Sequence, residues 1–290
     1  MTRQKRIAIS AINIRVHTKH EPQEYVALWR EIYRQQLVIT RGAYGLMLGE
    51  VQWLNKEPKL GLLFGYLYSF VQIDPNDPWF NINSKRPAED EEVEQVSIPE
   101  GLKPNLKMVP YLFDVKKHQL FFLVEGGDGG VSATLVHRFL KHVTSTPILL
   151  KRFGRVDLTV MTDQGEVDAM LRWPVIRRLD IVLERVNASE YEDEQEVMAR
   201  FQAMNLAREE RSYVKAEGAS TIEPDEDLRK IAAIAANNGV VSVKGVNPRG
   251  QSDKAKSTSF PMLIRSLYDS KIQTAVAAFV DKVRDEISKL

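Results

Sequence analysis

The 290-residue chain contains no cysteine. That excludes disulfides, thiol catalysis and cysteine-ligated zinc, and it suits a reducing cytoplasm. It also lacks an excess of either charge, with 40 Lys and Arg against 39 Asp and Glu. Any hold on a polyanion must therefore come from local patches rather than the overall field. No run approaches the roughly 18 to 20 consecutive apolar residues a spanning helix requires, so no membrane contact is expected. The opening "MTRQKRIAIS" is basic and then apolar, but Asn13 and Arg15 interrupt it and no small-residue cleavage site follows. A first strand is expected there. Histidine is scarce, at five, and none sits in an H-E-x-x-H context. His17 and His20 are only three apart just past that strand, while His137 and His142 stand about 140° apart around a helix. Neither a metal nor a cofactor is expected. A G-x-S-x-G elbow is absent, and Asp157, Asp163, Asp168 and Asp180 are scattered without a two-metal spacing.

What is present is the patterning of an ordinary mixed α/β chain, 43% hydrophobic and 27% charged. "RIAISAINIRV" is rich in β-branched residues and reads as a strand. After Pro22, apolar residues at Tyr25, Leu28, Trp29, Ile32 and Tyr33 recur at helical spacing. Two aromatic-rich strands follow, 44–54 and 60–73, and their glycines at 45, 49, 61 and 65 imply bulges or close backbone approach. From about 74 to 110 proline and acid dissolve the pattern into a long mobile excursion. "YLFDVKKHQLFFLVE" reads as a hairpin, and a helix is expected from about Ser132 to Val143. Strands over 156–161 and 179–186 flank a short helix. Ser189 with Glu192 resembles a capping box opening a long helix over 190–216. "LRKIAAIAANNG" stops at Asn238-Gly239, a hairpin with a basic tip spans about 240–260, and an amphipathic helix ends the chain.

The expected fold is α+β, with ferredoxin-like antiparallel sheet pieces bearing helices on one face. Residues 1–187 would form a mixed core carrying the acidic excursion. Residues 188–290 would form a helical region interrupted by the basic hairpin.

The stretch "LFFLVEGGDGGVSATLVHRFLKHV" raises the question of an anion site, because a glycine loop before a helix offers free amides at a positive dipole end. Gly127, Gly129, Gly130 and Ser132 would form it. The spacing is neither a Walker motif nor a dinucleotide fingerprint, Asp128 and Glu125 oppose an anion, and a flexible connection capped by Ser132 is the plainer reading.

The stretch after the loop is more suggestive. No carboxylate occurs from Gly129 to Val156, while Arg138, Lys141, Lys151, Arg152 and Arg155 do, so a positive surface for a phosphate backbone is expected. Lys244, Arg249, Lys254 and Lys256 on the late hairpin make a second patch, and Arg3, Lys5 and Arg6 a third. Aromatics such as Trp29, Tyr33, Phe64, Tyr66, Tyr68 and Phe70 would add base stacking.

Taken together, "YLFDVKKHQLFFLVE", "VSATLVHRFLKHV", "ANNGVVSVKGVNPRG" and "STSFP" resemble a bacterial family of uncharacterised proteins of about this length. The resemblance covers nearly the whole chain and implies an association with mobile elements or antiphage defence, but no functional residues. Three functions are in view. The first is an RNA- or DNA-binding subunit of a bacterial defence or toxin–antitoxin system. The second is an assembly subunit docking a protein partner or a second copy through helix 190–216. The third is a metal-independent ribonuclease using His142 or His118 as general base beside Lys117, Lys141 or Arg138.

Overall fold

The computed structural model describes residues 4–17, 21–73, 77–97, 99, 101–127, 129–184 and 192–289. In chain order these form β1 (Gln4–Val16), α1 (Pro22–Gln35), β2 (Val38–Arg41), β3 (Tyr44–Leu48), β4 (Gln52–Trp53) and β5 (Leu62–Val71). Next come β6 (Phe80–Asn81), β7 (Arg86–Pro87), α2 (Asp90–Val93), β8 (Lys107–Asp114), β9 (Gln119–Glu125), α3 (Ala133–Thr144), α4 (Pro147–Phe153) and β10 (Val156–Val160). The last group is α5 (Gln164–Met170), β11 (Val175–Glu184), α6 (Glu192–Ala203), β12 (Arg208–Val214), α7 (Glu226–Asn238), β13 (Gly239–Val246), β14 (Ser252–Lys256), β15 (Ile264–Asp269) and α8 (Ala275–Ile287).

β1 organises the larger sheet. Its residues from Ile7 to Val16 are all buried, because helices cover both faces, and this is why its hydrophobic alternation is only partial in sequence. One edge pairs with β9, while the other is shared by β15 along Gln4–Ile9 and β10 along Ile12–Val16. The full order is β10-β1-β9-β8-β5-β3-β2, antiparallel throughout. On one face α1 packs Tyr25 and Trp29 against Tyr111 and Phe113, with α4 and α3 beside it. α8 covers the opposite face, over β1, β8 and β15.

The twelve-residue α3 touches β10 and β1 as well as β2 and β3.

The smaller sheet runs β12-β11-β13-β14, again antiparallel. Leu179, Ile181, Leu183, Val241 and Val243 point inwards to a separate core with Val197 and Phe201 of α6 and the alanines of α7. Small side chains at 232, 235 and 236 let α7 lie close to the strands. Asp225 caps α7 by accepting from Leu228 N at 2.8 Å, and the helix gives way to β13 at Gly239 with no intervening loop. A Cβ there would fall 2.0 Å from the Val182 carbonyl oxygen, so the helix stops where only glycine fits. The two sheets are joined at α7, where Asn13 Nδ2 donates to Asn238 Oδ1 at 2.9 Å.

Three expectations are corrected. The larger sheet carries helices on both faces, because its strands bury both sides. The C-terminal region contributes a four-stranded sheet that also recruits β11, while β15 and α8 return to the larger sheet. The helix expected over 190–216 ends at Ala203. Asn205 turns the chain through a left-handed conformation (φ 54°), and Arg208–Val214 alternates exposed and half-buried residues as a strand does. The expected excursion holds a short hairpin, β6–β7, and the single turn α2, whose Glu89 and Glu92 form a reciprocal cap.

Candidate nucleic-acid interface

The outer face of the smaller sheet lies opposite the helices that bury its inner side. A register shift between Ile176 and Arg178 leaves both Arg177 and Arg178 exposed, as a bulge re-aims side chains. From there the register aligns cations. Arg178 lies opposite Lys244 on β13, and Lys244 lies opposite Lys254 on β14. One row further on, Asp180, Ser242 and Lys256 are in line. Arg177 Nη1 donates to Ser252 Oγ at 3.2 Å.

Among the described residues Lys244, Lys254 and Lys256 form no ion pair, and Asp180 is the one carboxylate in these two rows. Arg178 Nε meets both its oxygens at 2.9 Å. The Arg178 hydrogen bond above all holds the Asp180 carboxyl below the usual carboxylate range; burial opposes it, and the Ser212 hydrogen bond with the charges of Arg178 and Lys254 adds to the lowering. Like charges directly opposite on a sheet cost roughly 0.2–1 kcal/mol, so the Lys244–Lys254 pair does not serve stability. Arg249 extends the positive end at the exposed hairpin tip, where Asn247 Oδ1 accepts from Arg249 N at 3.0 Å.

The acid-free stretch divides. Arg138, Lys141 and Lys151 are exposed on α3 and α4, in the helical layer of the larger sheet, and form no ion pair among the described residues, with His142 exposed beside Arg138 and Lys141. Arg152 is held by the buried Glu31 at 2.9 Å, and Arg155 by Asp157 at 2.6 Å and Glu184 at 3.5 Å. These two arginines are neutralised in place.

His118 is buried, with its ring stacked on Tyr25 at 3.8 Å between centroids, and Lys117 Nζ donates to the Ile287 carbonyl at the end of α8. Neither faces a solvent-borne phosphate. Ser132 is occupied as the α3 cap, accepting from Leu135 N at 3.3 Å. Arg6 pairs with Glu125 at 2.6 Å. Arg3, His20, Asp128 and Ser189 lie outside the described residues. The aromatics are elsewhere as well: Trp29 and Phe70 are buried, and Phe64, Tyr66 and Tyr68 are half-buried on the larger sheet. The outer face of the smaller sheet presents lysine, arginine, serine and valine, with the carboxylates Asp180, Glu184 and Glu210 paired to Arg178 and Arg208, and no aromatic ring, so contact there would be with phosphates rather than stacked bases.

Sequence reasoning missed Arg177 and Arg178, although "VIRRLDIVLE" carried a signal in its polar residues at 178 and 180, every second position. It also missed a charge cluster at the opposite end of the sheet. His17 Nε2 lies 2.5 Å from Asp157 Oδ2, and Arg155 joins Asp157 to Glu184, which Arg208 meets at 3.2 Å. This knot ties β1 and β10 to β11. Burial alone would raise the Asp157 carboxyl, but hydrogen bonds from His17 and Arg155 and their charges outweigh it and hold it below the usual range. Burial, with Asp157 close by, pushes Glu184 up despite Arg208 and Arg155. A depressed carboxylate contributes stability above its unfolded pKa of about 3.9, and that contribution is lost as pH falls through its folded value. Asp157→Asn is therefore expected to cost roughly 2 kcal/mol at pH 7 and to flatten the fall of Tm below about pH 4. Thermal melts of both proteins from pH 3 to 7 check this.

Residues 5–284 match the family model described as a domain of unknown function, DUF4747. No curated protein matches the chain.

Proposed function

The chain belongs to the DUF4747 family, which brings no activity with it, and on the geometry we propose that it binds nucleic acid through the outer face of the smaller sheet. One observation carries this reading: Arg178, Lys244 and Lys254 stand in a single row across three strands, two of them as an uncompensated like-charge pair. Strands lie about 4.8 Å apart, so such a row repeats charge on a scale that suits the phosphates of an RNA or DNA backbone. Arg138, Lys141 and Lys151, which form no ion pair among the described residues, make a second, smaller contact area. In this reading the protein works in the cytoplasm, as a subunit of a bacterial defence or toxin–antitoxin system, a setting drawn from its resemblance to a bacterial family.

Electrophoretic shifts with generic single-stranded RNA, duplex RNA and duplex DNA test the reading. Retardation is expected at low salt, with log K falling linearly in log salt by about 0.7 to 0.9 per phosphate engaged. No retardation at low salt retires it. Cleavage of RNA in EDTA, abolished by His142→Ala, would replace it with a ribonuclease acting from the outer side of α3.

A further inference from the structure

Beside α1 the larger sheet leaves a cavity of about 650 Å³, a volume within the range of small-molecule sites. Val26 and Arg30, one and two turns into the helix, line it together with Trp53 of β4, Lys59, Val115 and Lys116. Its apolar wall is made by Val115, which is buried, and by Val26 and Trp53, which are half-buried.

The charge around this wall has one sign. Arg30, Lys59 and Lys116 are exposed, none of them forms an ion pair among the described residues, and no carboxylate among those residues lines the cavity. Asp114, the neighbour of Val115, is buried and already held by the Lys116 and Lys117 amides at 2.8 and 3.0 Å. A cleft bordered by one sign of charge over an apolar wall concentrates the field on an incoming counter-ion. Lys116 is also fixed in place. Its Nζ donates to the Lys59 carbonyl at 3.1 Å, and its stem crosses Gly61, where a Cβ would stand 2.8 Å from the Lys116 Cε. An ammonium carries three donors, so two remain for a ligand.

The second observation is Trp53. It lines another cavity as well, of about 460 Å³, bordered by Val280 and Arg284 of α8. An indole beside two cavities forgoes dispersion contacts that a close-packed interior would supply. The turn that follows it is strained: Asn55 and Lys56 are consecutive left-handed residues, with φ of 53° and 59°. Side chains bearing a Cβ disfavour that conformation, and such strain clusters at ligand clamps.

We propose that the cavity beside α1 binds a small organic anion with a planar apolar body. The body lies on Trp53 between Val26 and Val115, and its acidic group meets Arg30, Lys59 and Lys116 at the rim. The site is separate from the cationic sheet face and does not depend on it.

Isothermal titration of the full chain with naphthalene-2-carboxylate, its neutral carboxamide and acetate tests this. The carboxylate is expected to bind at least tenfold more tightly than either of the others. Arg30→Ala/Lys59→Ala, at two exposed positions, should weaken the carboxylate at least tenfold and leave the carboxamide unaffected. Trp53→Leu should weaken both aromatic probes alike. Lys103→Ala, which removes an exposed cation away from the cavity, should change nothing. Absence of heat with the carboxylate at millimolar concentration overturns the proposal. So does equal affinity for carboxylate and carboxamide, or full binding of the carboxylate by the double variant.

Discussion

The double substitution Lys244→Glu/Lys254→Glu is expected to weaken nucleic-acid retardation about a hundredfold at low salt, while Tm changes little. The two effects differ in size for one reason. In the free protein the change exchanges one like-charge pair for another, and the new carboxylates find Arg178 and Lys256 nearby. In the complex the lysines would neutralise phosphates, and their loss should flatten the salt slope by about 0.7 to 0.9 each. Arg152→Ala is the matching control. It removes a cation from the same acid-poor segment, but one already held by Glu31, so binding should not change. A double variant that binds as tightly as the parent would show the cationic row to be an ordinary solvated surface.

Gly65→Ala is expected to be the most damaging single-methyl change in the larger sheet. A Cβ at this position would fall 1.7 Å from the Glu50 carbonyl oxygen and 2.7 Å from the Tyr111 hydroxyl. The nearest atom is backbone, so no side-chain rotation relieves the overlap. The Tyr111 hydroxyl donates to that same carbonyl at 2.7 Å, and Tyr111 is fully buried against Trp29. Displacing Glu50 therefore breaks a buried hydrogen bond as well as the fit of β5 to its neighbours. A cost of about 3 kcal/mol or more follows, read as a fall in Tm of about 6–12 °C. Tyr111→Phe, which removes only the hydroxyl, should cost about 1–2 kcal/mol. Equal Tm values for Gly65→Ala and the parent would mean that the approach of Glu50 can be relaxed without penalty.

Much of the local structure was legible. Pro22 and the 25-28-29-32 spacing placed α1, Ser132 placed the start of α3, and Asn238-Gly239 placed the end of α7. The glycines of the aromatic strands do mark close approaches: Gly45 to the Phe70 ring, Gly49 to Tyr68, Gly65 to Glu50. The failures share a cause. β15, which no local pattern singled out, exists because the first half of β1 has a vacant edge. The 208–214 strand follows a helix whose helical spacing and charge pattern continue into it in sequence, and the competing pull of β11 lies outside any local window. The glycine loop was weighed against α3, its neighbour in sequence, yet a Cβ on Gly127 would stand 3.2 Å from the Cβ of Ala275 at the start of α8, about 150 residues further on.

By itself the sequence determined the α+β class, most helices and hairpins, and the clustering of cations in the late hairpin. Those features depend on periodicity, caps and turn residues, all read within a few positions. Only the tertiary structure decided which cations remain available. Glu31 reaches Arg152 across 121 residues, and strand register brings Arg178 beside Lys244. Electrostatic pairing depends on distance in space, and for residues far apart in the chain that distance is set by the fold.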